Sequence, residues 1–318
     1  MSKKLRILVI GAGQIGSRHI QALATIPDIG QVVAVDPSAE SRERALQRWR
    51  DVPGHESKEV AAVADIAGAD GSGFDLAVLA TNAPGRLEHF RRVVALGIRH
   101  VLAEKLLFQS VAELDEALEL CRSAGVSLYP NYVYRYASPW RLLGERLRGQ
   151  VFQMRIVAGD IGLATNLPHW LDLFEFVAGS QLGELSITLD KPAYPNKRGG
   201  DLVEFSGSAA GRSMSGATVS LHFADGDGVP VTTIVTADGE WILDEGAGTV
   251  TGNLAEAGMQ LEMPMVSRIT ARAVPDILAG RTVLPDLIAT APMNRLLLDA
   301  AGRALFGTVR RGTRVPIT

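Results

Sequence analysis

Arg6-Ile7-Leu8-Val9-Ile10-Gly11-Ala12-Gly13-Gln14-Ile15-Gly16 is the stretch on which the reading of this chain turns. It begins as a short continuous apolar run, the pattern of a parallel strand covered on both faces. It ends as G-x-G-x-x-G and passes into a helical pattern in which Ile15, Ile20, Leu23 and Ala24 share one face. With 33 glycines in 318 residues, chance alone gives roughly 0.3 such glycine patterns in a chain this long, so context must carry the reading. Gly246-Ala247-Gly248 with Gly252 looks similar but lies among alternating strand segments and reads as turn chemistry. The first motif sits between strand and helix. There Gly11 permits the tight turn, Gly13 lets a pyrophosphate approach the backbone, and Gly16 lets the helix pack on the sheet. Gln14 and Ile15 open the helix, whose free amides and dipole favour an anion.

Working outward, further buried runs follow at Val32–Asp36, Leu76–Ala80, His100–Lys105 and Val126–Tyr132, separated by helical segments near 87–96 and 111–124. Strands alternating with helices of this length predict a doubly wound parallel sheet, a Rossmann domain over residues 1–131. Residues 132–318 read differently. Helices are expected near 138–147 and 169–177, with a strand at 151–157 between them. From Glu184 to Gly252 short segments alternate with period two, and AspGly pairs at Asp225–Gly226, Asp227–Gly228 and Asp238–Gly239 are hairpin signals. Helices near 265–279 and 287–306 complete the chain. The expectation is a C-terminal α+β domain with a large, mostly antiparallel, open-faced sheet.

Composition narrows the function. Lys plus Arg number 32 against 35 Asp plus Glu, a net charge of −3, without the basic surplus of a nucleic-acid binder. No apolar run approaches the ~18 residues that span a membrane, and residues 1–6 lack a signal peptide's apolar stretch and cleavage site. One cysteine, Cys121, falls in a helical pattern and reads as packing; a chain so poor in cysteine fits a reducing compartment, the cytoplasm. No Cys/His cluster has zinc spacing, so no metal is expected.

Asp36 closes the second strand 20 residues after Gly16, where a carboxylate accepts hydrogen bonds from an adenosine ribose 2′-OH and repels a 2′-phosphate. NAD is therefore expected rather than NADP. A turn residue before Pro37 is the plainer reading of Asp36, and Arg42 and Arg44 lie close enough in sequence to aid a phosphate.

The glycine turn followed by Ser17-Arg18-His19, then Asp36, Thr81-Asn82 and Glu104-Lys105, resembles the Gfo/Idh/MocA oxidoreductases, which include glucose–fructose oxidoreductase and inositol dehydrogenase. The resemblance is strong over the first 135 residues and weaker beyond. It implies a Rossmann domain plus an antiparallel α/β domain, hydride transfer between NAD(P) and a sugar or cyclitol carbon, and a homo-dimer or homo-tetramer formed through the second sheet. By the same resemblance Thr81 and Asn82 contact the cofactor. The histidine usual after them is replaced by Arg86. Glu104-Lys105-Leu106 stands where the family has Glu-Lys-Pro. Lys105, at a strand mouth, would hydrogen-bond the reacting oxygen, and Glu104 would orient Lys105 or contact the nicotinamide ribose. With Leu106 in place of Pro, a cis bond is not expected. Arg135, just past the last Rossmann strand, bridges structure or contacts substrate.

In the second domain Thr165-Asn166-Leu167-Pro168-His169-Trp170-Leu171-Asp172 resembles the family's Asp-x-x-x-His segment, with a later Asp at i+3. His169 would take the hydroxyl proton as hydride leaves, Asp172 would orient the ring or hold substrate, and Thr165 and Asn166 would meet substrate hydroxyls. The earlier Asp has become Thr165, which removes a carboxylate. Read without the resemblance, Asn166 caps a helix, Pro168 lies in its first turn and His169 is an ordinary histidine. The basic, Pro-rich 191–198 segment reads as a solvated connection, with contact to a phosphorylated sugar as its functional alternative.

The leading expectation is an NAD-dependent dehydrogenase of a sugar-like secondary alcohol. Its rivals are an NAD-binding sensor or regulator of the same fold, and a lyase, epimerase or glycosidase that uses bound NAD transiently.

Overall fold

The computed structural model describes residues 4–68, 73–159, 161–224, 226–256, 258–263 and 265–318. Its first elements are β1 (Leu5–Ile10), α1 (Gln14–Thr25), β2 (Ile29–Val35), α2 (Ala39–Arg50), β3 (Glu59–Val63), β4 (Leu76–Leu79), α3 (Arg86–Ala95), β5 (His100–Ala103), α4 (Val111–Ala124) and β6 (Ser127–Pro130). Then come α5 (Ser138–Leu147), β7 (Gln153–Ala158), α6 (Leu163–Ala178), β8 (Leu182–Leu189), β9 (Tyr194–Pro195), β10 (Val203–Glu204) and β11 (Gly207–Ser213). The remainder is β12 (Thr218–Phe223), β13 (Val231–Val235), β14 (Glu240–Asp244), β15 (Thr249–Thr251), α7 (Val266–Leu278) and α8 (Leu287–Phe306).

Two compact units form. The first comprises Met1–Phe108, Glu113–Asn131 and Met265–Ala289; the second comprises Gln109–Ala112, Tyr132–Pro264 and Thr290–Thr318. A boundary drawn at 131/132 thus separates the bulk of the two but not α7, which packs on α1.

The first unit holds a six-stranded parallel sheet in the order β3-β2-β1-β4-β5-β6. Ile7, Leu8, Val9 and Ile10 of β1 and all four residues of β4 are buried, as a strand covered on both faces requires. The strand order reverses between β1 and β4, and in such a sheet the crevice beyond their carboxyl ends is the ligand site. The sequence reading missed β3. It is an edge strand whose Glu-Val-Ala-Ala-Val is half-exposed, so it shows neither a buried run nor a clean alternation.

The second unit is built on a seven-stranded sheet in the order β15-β14-β13-β7-β12-β11-β8. Only β7 and β12 pair parallel; the other pairs are antiparallel. Met154, Ile156, Val219, Leu221, Phe223, Ile234, Trp241 and Leu243 point to a buried face. Gln153, Arg155, Val157, Ser220 and His222 point to the exposed one. The Asp238–Gly239 turn joins β13 to β14 with Thr236 N donating to Gly239 O at 2.8 Å. Asp227–Gly228 makes no hairpin, because β7 lies between β12 and β13. Asp225 lies outside the described residues. β9 and β10 form a separate antiparallel ribbon. Cys121 is buried, and burial pushes its thiol up to about 11.

Candidate active site

In the first unit the glycine turn leaves β1 and meets the loop after β4. A side-chain carbon on Gly11 (φ 92°) would lie 2.9 Å from the backbone carbon and oxygen of Ala80. One on Gly16 would lie 1.9 Å from the Gly11 carbonyl oxygen. Around Gly13 the space is open, with no atom within 4 Å of such a carbon. Gly13 is the N-cap of α1 and no side chain caps that helix, so its first amides and dipole are available to an anion. Gln14 and Ile15 form the first turn, and Ile15 remains 37% exposed.

Asp36 follows β2 and closes on the same turn. Its Oδ2 accepts from Ala12 N at 2.7 Å and its Oδ1 from Ser38 N at 2.9 Å. Neither nearby cation is poised for a phosphate: Arg42 Nη1 donates to the Asp36 carbonyl at 2.7 Å, and Arg44 Nη2 to Glu40 Oε1 at 2.6 Å. A carboxylate held here accepts from a ribose diol and repels a 2′-phosphate. Sequence reading missed Arg48 of α2, whose guanidinium donates to Gln14 O at 2.8 Å and Gln14 Oε1 at 3.0 Å. Only the fold reveals that approach, because 34 residues separate the pair.

Beyond β4, Thr81 Oγ1 is buried without a hydrogen-bond partner among the described residues, and Asn82 is exposed. An orphaned hydroxyl beside the switch point, an uncapped helix start and an open Gly13 together fit an NAD molecule. Arg86, in place of the expected histidine, is 1% exposed. It donates to the carbonyls of Glu104 at 2.6 Å and Leu107 at 3.3 Å and also to those of Leu106 and Thr81. The same Arg86 thus binds both loops. The Lys105–Leu106 peptide is cis, contrary to the expectation drawn from Leu106; the Leu106 carbonyl is bound by buried Arg86.

Lys105 is 5% exposed. Beside it, Glu104 Oε1 accepts from Asn131 Nδ2 at 2.8 Å and from His19 Nε2 at 3.1 Å. Thr270 Oγ1 shares a hydrogen bond with His19 Nδ1 at 2.8 Å, which ties α7 into this network. Burial pushes the Glu104 carboxyl up, but the His19 and Asn131 hydrogen bonds and the charges of His19 and Lys105 outweigh it and hold it at about 2. Glu104 is therefore an anion engaged by His19 and Asn131.

In the second unit His169 lies on α6 with its ring edge-on to Tyr132 (centroids 6.1 Å apart) and Tyr134 (5.7 Å). Asp172, one turn on, is fully buried. Its Oδ2 accepts from Arg135 Nε at 2.8 Å and its Oδ1 from Arg135 Nη2 at 2.7 Å. The fork-to-fork pair puts Asp172 on Arg135 rather than on the histidine ring, and Arg135 also stacks 4.9 Å over Phe176. Burial pushes the Asp172 carboxyl up against the pull of Arg135.

Asn166 is not a cap: α6 starts at Leu163, and Asn166 Nδ2 donates back to the Ile161 and Gly162 carbonyls, each at 2.8 Å. Pro168 lies inside the helix, beyond its first turn. Thr165, where a carboxylate is missing from the sequence, instead meets one: its hydroxyl donates to Glu204 Oε2 at 2.5 Å. No sequence signal pointed to Glu204, which reaches α6 from β10. A second unforeseen acid, Glu245, accepts from the Tyr134 hydroxyl, and burial pushes it up to about 7.

Among the described residues no group of three or more His, Cys, Asp or Glu side chains is arranged to hold a metal. No helix among them is long and apolar enough to cross a membrane.

Residues 5–132 match the family described as oxidoreductase family, NAD-binding Rossmann fold. No curated protein sequence matches the chain. Among solved structures, it is similar to an oxidoreductase from Agrobacterium radiobacter, seen in complex with NAD+, L-tartaric acid and magnesium (17% identity, 97% of this chain and 99% of that one, TM-score 0.73). It is also similar to a UDP-N-acetylglucosamine 3-dehydrogenase from Acidithiobacillus ferrooxidans (18%, 95% and 96%, 0.71). A third is a myo-inositol dehydrogenase from Corynebacterium glutamicum (18%, 96% and 97%, 0.70). At these identities the likeness is one of fold.

Proposed function

We propose that the chain, whose residues 5–132 match the oxidoreductase family with an NAD-binding Rossmann fold, is an NAD-dependent dehydrogenase of the Gfo/Idh/MocA family that moves a hydride between NAD(H) and a secondary alcohol or ketone of a sugar, cyclitol or nucleotide-sugar derivative. The observation that carries the cofactor half is the open, uncapped start of α1 at Gly13 with the Asp36 carboxylate beside it. The substrate class is taken from the names of the similar nucleotide-sugar and inositol dehydrogenases.

When bound, NAD supplies the hydride acceptor or donor. Gly11, Gly13, Gln14, Ile15 and Gly16 would hold its pyrophosphate, Asp36 its adenosine ribose, and Thr81, Asn82, Glu104 and Lys105 its nicotinamide end. The chain's own residues manage the proton. Lys105, beside the Glu104 carboxylate, donates to the substrate oxygen and stabilises negative charge that develops there. His169 accepts the hydroxyl proton during oxidation and returns it during reduction. Thr165 and Asn166 offer polar groups to substrate hydroxyls. Asp172 acts with Arg135, fixing the helix that bears His169 instead of handling the proton. The Glu204 carboxylate at Thr165 puts an acid back beside that turn, which favours a working site over a sensor.

We further place the enzyme in the cytoplasm, as a homo-dimer or homo-tetramer formed through the open face of the second sheet; light scattering of an Arg155→Glu variant tests the interface. The activity test is spectrophotometric: purified protein with NAD+ and a panel of sugars, cyclitols and nucleotide sugars, beside His169→Ala and Lys105→Ala. A loss of at least about 100-fold in each is expected for acid–base groups. Wild-type rates in both variants would refute the assignment.

A further inference from the structure

The helix that carries His169 begins at a residue with nothing to cap it. Its N-cap is Gly162, and its first amides need acceptors from elsewhere. Glu204 supplies them. Glu204 Oε1 accepts from Ala164 N at 2.7 Å and Phe205 N at 3.0 Å. Glu204 Oε2 accepts from Thr165 N at 3.2 Å, from the Thr165 hydroxyl at 2.5 Å and from Asn196 Nδ2 at 3.4 Å. All five partners are donors, the set that suits an ionised carboxylate, since a protonated acid would bring a donor of its own; burial pushes the Glu204 carboxyl up, and the hydrogen bonds from Thr165, Phe205 and Ala164 pull against it. The side chain is buried, with 6% of the residue exposed. The fold thus holds this carboxyl out of water among donors, at the positive end of a helix dipole, which favours its ionised form.

Thr165 and His169 are four residues apart on α6, neighbours on one face. We propose that Glu204 is the positioning residue of the His169 site: it fixes the first turn of α6 and, through the Thr165 hydroxyl, supplies the negative charge that favours the protonated His169. The proposal rests on His169 as proton acceptor. Charged and titratable groups on the same helix and on its neighbours have partners of their own. Asp172 is paired with Arg135, Glu245 accepts from Tyr134, and the Tyr132 and Tyr134 hydroxyls are pushed well up by burial. Glu175, at the next turn, accepts from Leu182 N at 2.7 Å.

The test is an NMR titration of the His169 ring protons, assigned by their loss in His169→Ala and recorded without NAD or substrate. With roughly 8 Å between the charges and an effective dielectric of about 20–40, Glu204→Gln should lower the His169 midpoint by about one pH unit. Thr165→Asp added to Glu204→Gln returns a carboxylate to the same turn and should bring the midpoint back to within about 0.3 unit of wild type. If Glu204→Gln fails to fold, the double variant alone decides, since its midpoint either matches wild type or falls. An unmoved midpoint in folded Glu204→Gln overturns the proposal, as does a double variant that stays a unit low. A purely structural cap would change the melting temperature and leave the midpoint in place. Because no turnover is measured, a failed dehydrogenase assay and a failed titration are separate results.

Discussion

Gly13→Ala and Gly16→Ala make the same chemical change three residues apart and should have opposite effects on stability. At Gly13 an added methyl meets no atom within 4 Å, and φ is −62° in extended backbone, which alanine adopts. Replacing glycine at a compatible position reduces the freedom of the unfolded chain and changes stability by about 0.4–1 kcal/mol in the favourable direction. The open space is, however, the approach a pyrophosphate needs. A methyl there should weaken NAD binding at least about tenfold, or ~1.4 kcal/mol. At Gly16 the methyl would lie 1.9 Å from the Gly11 carbonyl oxygen and 2.7 Å from its carbon. Both are backbone atoms, so α1 must shift away from the turn after β1. Overpacking of this kind costs about 3 kcal/mol, a melting-temperature loss of roughly 5–10 °C for a unit of this size. NAD affinity falls with it, because the displaced helix start carries the amides. Thermal melts and calorimetric NAD titrations on the two variants measure both quantities. If Gly13→Ala binds NAD like wild type, or Gly16→Ala melts like wild type, the assignment of these glycines is wrong.

Three further outcomes follow from the geometry. Asp36→Ser removes the charge that opposes a 2′-phosphate and should improve NADP+ binding relative to NAD+ at least about tenfold, read from the ratio of the two dissociation constants; an unchanged ratio refutes Asp36 as the selector. Asp172→Asn leaves the Arg135 guanidinium in a buried setting without its carboxylate and should cost about 3–5 kcal/mol in urea unfolding, whereas a loss under 1 kcal/mol would mean the pair is not the anchor of α6. Glu104 titrates at about 2 when folded against 4.5 ordinarily, so its contribution, on the order of 3 kcal/mol, is complete above pH 4.5 and is lost as pH falls towards 2. Glu104→Gln should therefore trail wild type in unfolding free energy near neutrality and converge with it as acid is added; a constant gap would show that the charge of Glu104 is not what matters.

Local signals made much of this protein legible. β1 announces itself because four consecutive buried side chains need four consecutive apolar residues, and the turn after it needs Gly11 and Gly16 for contacts that any side chain would block. The positions of Asp36 and Lys105 are legible for the same reason, Asp36 directly after buried β2 and Lys105 two residues past buried β5. The rest depends on distance. His19 meets Thr270 across 251 residues, Arg135 meets Asp172 across 37, and Glu204 meets Ala164 across 40. No periodicity encodes such pairs, and each changes what a residue does: Asp172 becomes an anchor and Glu104 a partner of α1. The start of α6 shows the effect on local structure. Asn166 and Pro168 look like an N-terminus, yet the helix begins before both because its cap comes from another strand.

The two helices that matter most for function present the same physics to different ends. Both α1 and α6 start at a glycine without a capping side chain, so each begins with unsatisfied amides and partial positive charge. At α6 the fold fills that place with Glu204, internal and permanent, and the site stays closed to an outside anion. At α1 no side chain among the described residues fills it: Gly13 is open, and the Asp36 carboxylate is turned to Ala12 and Ser38. An anion from solution therefore finds one helix start and not the other. In the proposed site the unfilled α1 start is what a bound pyrophosphate would complete, and the filled one would hold His169 steady whether or not NAD is present.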